Sequence, residues 1–162
     1  MWPASLSTSC IRMPTLTPLR RLGAAFLVAG SAVCARADAA GNADLVVIVS
    51  ARNPLAMLRA DQAAAIFLGQ SVRFPDGAEA LPVDQRLGST ARDEFYARVT
   101  NKTPALMKAY WSKMVFTGRG QPPAELPDSA AIRRKVADDP DAIGYIERSA
   151  LDPSVRAVLV VQ

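Results

Sequence analysis

The sequence predicts one small α/β domain whose sheet is mostly parallel or mixed and flanked by helices. Two observations carry this. Leu45 to Val49 (LVVIV) is an unbroken β-branched run, the composition of a strand buried on both faces. Beyond it, helix-period and strand-like segments alternate without an internal repeat, the pattern of a single layered α/β unit.

The elements follow in order. Ser50-Ala51-Arg52-Asn53-Pro54 ends the first strand as a loop. Asp61 to Leu68 reads as a helix, with Ala64, Ile66, Phe67 and Leu68 as its apolar positions, Asp61 suited to the first turn and Gly69 suited to the stop. Phe74-Pro75-Asp76-Gly77 has turn chemistry. Ala80 to Val83 is a short strand leading into Asp84-Gln85-Arg86. Gly88-Ser89-Thr90 opens a helix to about Val99, with Ser89 or Thr90 as N-cap and Asp93 and Glu94 near its start. Thr103-Pro104 opens the next, with threonine at the N-cap and proline at the first helical position. Leu106, Met107, Tyr110, Trp111 and Met114 then recur at helical spacing. Gly118 to Pro127 is a Gly/Pro loop. Asp128-Ser129 starts a helix through Ile132 and Val136, broken by Asp138-Asp139-Pro140-Asp141. Ala142 to Ile146 and Arg156 to Val161 are the closing strands.

Residues 1–37 read as a signal peptide rather than as part of the fold. Arg12, Arg20 and Arg21 precede a short uncharged apolar run, Leu22 to Val33, and Ala35-Arg36-Ala37 and Ala37-Asp38-Ala39 are small-x-small cleavage sites. The run is short of the roughly 20 residues of a spanning helix. The cut is expected after Ala37 or Ala39, and Met13 as the true start gives a leader of ordinary length. The domain is then 38–162, and the location is periplasmic.

Removing the leader changes the charge. The full chain has 19 basic and 15 acidic residues, and four of the arginines (12, 20, 21, 36) precede the cut, leaving 15 against 15. A general nucleic-acid role loses its electrostatic basis. Cys10 and Cys34 leave as well, and the chain has no histidine. That excludes a disulfide, a typical zinc site and a thiol or imidazole catalyst from the mature protein. The acidic residues show no calcium-loop spacing. Ser89 with Lys102 is the one nucleophile–base combination to consider, and nothing in the sequence places the two together. No cofactor or metal is expected, and no enzymatic activity.

The strand–loop–helix from Val83 to Phe95 is the first binding candidate. Backbone N–H groups at a helix start, with a hydroxyl cap, make an anion site without net positive charge. Gln85, Gly88, Ser89 and Thr90 stand at that start, and Arg86 and Arg92 flank it as bidentate donors. The competing reading has Ser89 as a cap only and both arginines solvated. Arg52 and Asn53, after the first strand, are the second candidate, because strand ends are where open α/β sheets place ligands; they could instead complete a turn. The Gly118 to Pro127 loop is the third, as a ligand or partner surface or a rigid connector.

Ala65-Ile66-Phe67-Leu68-Gly69 with Phe74, Asp76 and Gly77, then Tyr110-Trp111-Ser112 and Val115 to Pro123, then Ala142-Ile143-Gly144-Tyr145, resemble the periplasmic phosphate-binding proteins of ABC transporters, specifically their short single-domain relatives. The resemblance covers about Leu45 to Ile146. It implies one lobe of the periplasmic-binding-protein type. In the large members an Arg-x-Asp-x-Ser-Gly-Thr pattern, with phenylalanine four residues on, holds the anion at a helix start. Anchored on Phe95, Ser89 matches the family serine, Thr90 replaces glycine, Ala91 replaces threonine, and Leu87 stands where the aspartate is expected. Arg86 is one position out of register. A buried carboxylate there accepts the proton of hydrogen phosphate and rejects sulfate, so its loss weakens the ground for phosphate selectivity. A single lobe also leaves half the ligand in water, where charge-assisted bonds are weak.

The resemblance therefore implies an exported solute-binding protein of the phosphate-transporter type. It would take phosphate or a similar small oxyanion near Ser89, with Arg52 and Asn53 approaching from the neighbouring strand end. The alternative is a ligand-free interaction module that docks on a membrane sensor, porin or transporter.

Overall fold

The computed structural model describes residues 44–162. The leader, both cleavage sites, Met13 and the two cysteines lie outside the described residues. The elements are β1 (Leu45–Ser50), α1 (Ala60–Phe67), β2 (Leu81–Gln85), α2 (Thr90–Thr100), α3 (Pro104–Phe116), β3 (Ala124–Leu126), α4 (Ser129–Asp138), β4 (Ala142–Glu147) and β5 (Val155–Val160), with a 3-10 turn at Arg148–Ala150 before β5.

The five strands form one mixed sheet in the order β3-β2-β4-β1-β5. The parallel part is β3-β2-β4. β1 is buried along its whole length, as its apolar run requires. Yet it runs antiparallel to both neighbours, pairing Val47 with Tyr145 of β4 and Val46 with Val160 of β5. Burial on both faces follows from composition; the direction of the partners does not.

Alternation along β1 divides the core in two. Leu45, Val47 and Val49 join one cluster with residues of α1, α2 and α3. Val46 and Ile48 join the other, with Ile132 and Val136 of α4. One face of the sheet thus carries three helices and the other carries one.

The three segments singled out in the sequence meet in the larger cluster. Phe95 of α2 stacks on Tyr145 of β4, ring centroids 3.9 Å apart and planes 4° apart. Phe67 of α1 meets Phe95 and Tyr145 edge-on at 4.7 and 5.7 Å. The edge-on contacts have a favoured aromatic geometry. Tyr110 of α3 donates its hydroxyl to the Leu68 carbonyl at 2.7 Å, pinning α3 to the end of α1.

Gly144, between Ile143 and Tyr145, is needed for a close approach. A β-carbon there would run into the Ile132 side chain and lie 3.1 Å from Val83 and 3.3 Å from Val136. α4 packs against bare backbone. The Gly118 to Pro127 segment differs from its expected loop character in one respect: Ala124–Leu126 forms β3, an edge strand paired in parallel with β2. Three residues are too few to show a period in sequence.

Gly144→Ala is expected to lower stability by about 1–3 kcal/mol through overpacking. Urea unfolding checks this, and an unchanged midpoint would contradict the packing described.

Candidate functional site

Two helices begin at the C-terminal end of β2. Gly88, at φ +81°, turns the chain out of the strand. Ser89 caps α2, its Oγ accepting from the Arg92 N–H at 3.2 Å. Asp128 caps α4 in the same way, accepting from the Ala131 N–H at 2.8 Å. The buried Gln85 links the two starts. Its Oε1 accepts from Ser89 Oγ (3.3 Å) and its Nε2 donates to Ser129 Oγ (2.9 Å). Ser129 in turn donates to the Glu147 carboxylate at the end of β4. Thr90 is exposed at the start of α2, and Arg86 and Gly88 are exposed in the preceding turn.

Beneath this corner lies a buried polar knot that the sequence reading did not pick out. Asp84 of β2 is 0 % exposed. It accepts from Tyr145, from Tyr96 at 2.8 Å and from Arg92 Nε at 3.0 Å. Tyr145 also accepts the Gln85 N–H at 3.3 Å. Burial pushes the Asp84 carboxyl above its ordinary value, and the bonds from Tyr145, Arg92 and Tyr96 pull it back only part of the way. Burial and the neighbouring Asp84 charge raise both tyrosines, so each stays a protonated donor. The available signal was an acidic residue directly following a strand-like run, which has to find partners if the strand extends and buries it.

Arg92 is therefore not a solvated cation beside the site, as one sequence reading allowed. It is buried, with Asp84 on one side and Glu125 of β3 on the other, Nη1 to Oε1 3.7 Å. Leu87, the residue found where the family aspartate was expected, is 70 % exposed, and its N–H donates to Glu125 Oε2 at 3.2 Å.

Arg52 and Asn53 do not join this group. β1 is antiparallel to β4, so its last residues lie beside the start of β4: Val49 pairs with Ile143. That is the end where β2 begins, since Leu81 pairs with Ala142. Ser89 follows the opposite end of β2, four residue steps or roughly 13 Å along the strand. Both residues have structural partners where they are. Arg52 donates to the carbonyls of Ala137 (3.1 Å) and Asp138 (2.6 Å), closing the C-terminus of α4. Asn53 donates to the Pro140 carbonyl and accepts the Leu55 N–H, each at 2.8 Å. The approach of these two to the anion is thus corrected, because it presumed a parallel β1. Ser89 and Lys102 are likewise separated by the length of α2, 11 residues or roughly 16 Å.

A groove of about 760 Å³ opens beside the corner, between α2, α3 and the loop before β3. Arg92 and Glu125 are among its lining, and Leu87, Trp111, Val115, Phe116 and Pro122 contribute apolar surface to it. Phe116 is 92 % exposed.

No protein-family model and no curated protein matches the sequence. Solved structures do match the fold. Its structural neighbours are phosphate-binding proteins of ABC transporters. A protein from Clostridium perfringens described as a phosphate ABC transporter substrate-binding protein, solved with bound phosphate, is 28 % identical with a TM-score of 0.56. An ABC-type phosphate transport receptor from Vibrio cholerae is 18 % identical with a TM-score of 0.57. PstS from Borrelia burgdorferi is 14 % identical with a TM-score of 0.54. Each alignment covers 71 % of this chain but only 44 %, 45 % and 46 % of the respective neighbour. The chain thus spans less than half the length of these binding proteins.

Asp84→Ala is expected to cost about 3–5 kcal/mol, because it leaves Arg92 buried without its principal counter-charge. Chemical denaturation measures it, and a cost below 1 kcal/mol would remove Asp84 from its structural role. A second expectation concerns pH. The folded chain holds the Asp84 proton more tightly than the unfolded chain, so this linkage term is fully present below the ordinary value of 3.8 and is lost as pH rises through the folded value. The stability difference between wild type and Asp84→Asn should therefore move against the wild type as pH rises from 3.8. Urea unfolding across that range reads the slope.

Proposed function

We propose that the chain is an exported, non-catalytic binding protein that takes a small oxyanion, phosphate first, at the start of α2. The observation that carries this is the meeting of two capped helix starts at the end of β2, with Ser89 and Ser129 joined through Gln85. Helix starts present N–H groups and a positive dipole end to an anion. The neighbour solved with phosphate supports the choice of ligand. The donors are Ser89, Thr90 and the loop N–H groups around Gly88, with Arg86 as the exposed cation and Arg92 as a buried guanidinium held by Asp84. Export and a periplasmic location rest on the leader. Among the described residues no helix is long and apolar enough to cross a membrane. An ABC-type transporter is the partner in keeping with the neighbours.

The second reading, an interaction module docking on a membrane sensor, porin or transporter, draws on the exposed Phe116 and the apolar groove beside it. Calorimetric titration of the full chain with phosphate and with sulfate separates the two. Under the first reading phosphate releases heat, and Ser89→Ala weakens binding about tenfold while lowering stability by about 1 kcal/mol through the lost cap. A folded chain that takes up neither anion, and loses a cellular crosslink to a membrane protein on Phe116→Ser, would favour the second.

A further inference from the structure

The corner at the start of α2 already holds an anion, and it belongs to the chain. Glu125 accepts the Leu87 N–H at 3.2 Å through one carboxylate oxygen and sets the other 3.7 Å from Arg92 Nη1. A loop N–H ahead of the helix and a guanidinium nitrogen are what an incoming oxyanion would use there. The side-chain donors of Ser89, Gln85 and Ser129 also end on the chain, from Ser89 to Gln85, to Ser129, to Glu147.

We propose that Glu125 is a built-in competitor of the bound anion, and that ligand enters only as this carboxylate leaves. The proposal rests on the reading of the α2 start as an anion site. Two anions do not share these donors, because each N–H satisfies one acceptor well and like charges at this separation repel.

The two acidic groups around Arg92 differ in how firmly they are held. Asp84 is inaccessible and accepts from three side chains. The Glu125 side chain is 35 % exposed, has one N–H partner, and stands beyond hydrogen-bond reach of Arg92. Its strand is three residues long, at the sheet edge, with Ala124 and Glu125 both exposed. A segment with so little buried surface opens locally at small cost. Arg92 remains in place when Glu125 swings away, since Asp84 retains it. Apparent affinity then equals intrinsic affinity reduced by the fraction of molecules in which the corner is vacant.

The test is titration of inorganic phosphate into the full chain as wild type, Glu125→Gln and Glu125→Ala. Binding is measured by calorimetry, and the Leu87 amide signal by nuclear magnetic resonance. Glu125→Ala should bind phosphate about tenfold tighter than wild type or better, and Glu125→Gln should lie between. Phosphate should move the Leu87 amide signal in each. Glutamine keeps the size and an acceptor for the Leu87 N–H, so it decides the matter if removal of the side chain disrupts β3. A folded variant with wild-type affinity overturns the competitor and leaves the anion site standing. Failure of all three proteins to bind, with the Leu87 signal unmoved, removes the site and the competitor together.

Discussion

The burial of one carboxylate organises this molecule. Asp84 sits one residue from the end of β2 with no access to water, and its oxygens are taken by groups from α2 and β4. A charge removed from water is tolerated only where hydrogen bonds and a counter-charge replace the solvent. Here the replacement comes from Arg92, Tyr96 and Tyr145, and satisfying it fixes three elements relative to one another. The same tyrosine stacks on Phe95. Polar knot and aromatic cluster are two sides of one arrangement, and α2 cannot rotate without disturbing both. That is why the Ser89 cap, which decides where α2 starts, has a defined position against Gln85.

Much of the fold was legible in the sequence because it rests on local rules. The caps at Ser89, Thr103 and Asp128, and the proline at the start of α3, mark three helices. The β1 run announces a strand covered on both sides. The pairing direction is a non-local property that no run of valines encodes, and the misplacement of Arg52 and Asn53 followed from that alone. β3 escaped for a second reason: it pairs with β2 across α2 and α3, and its three residues carry no pattern.

The site was legible in outline. Ser89 caps α2 and bonds Gln85, with Gly88 in the turn between them. What the sequence concealed was the state of the charges. Arg92 looked like a cation available to ligand, and in the fold it stands between two carboxylates, one inaccessible and one at the rim. Asp84 was passed over as the tail of a strand. Its importance depends on depth of burial, which arises only when β2 is flanked by β3 and β4. Leu87, which stands where the resemblance led one to expect an aspartate, faces solvent.

The pairing of β1 has a consequence for how the chain acquires its structure. β1 is made from residues 45–50, and both its partners come from residues 142–160, at the other end of the described sequence. Closing contacts across almost a hundred intervening residues is slow, since the entropy of the loop is lost before the ladder forms. During synthesis β1 emerges before both its partners and stays apolar and unpaired until residues 142–160 have followed. The chain remains extended and vulnerable to association through its first strand, and a holding chaperone would find its natural target in Leu45–Ser50.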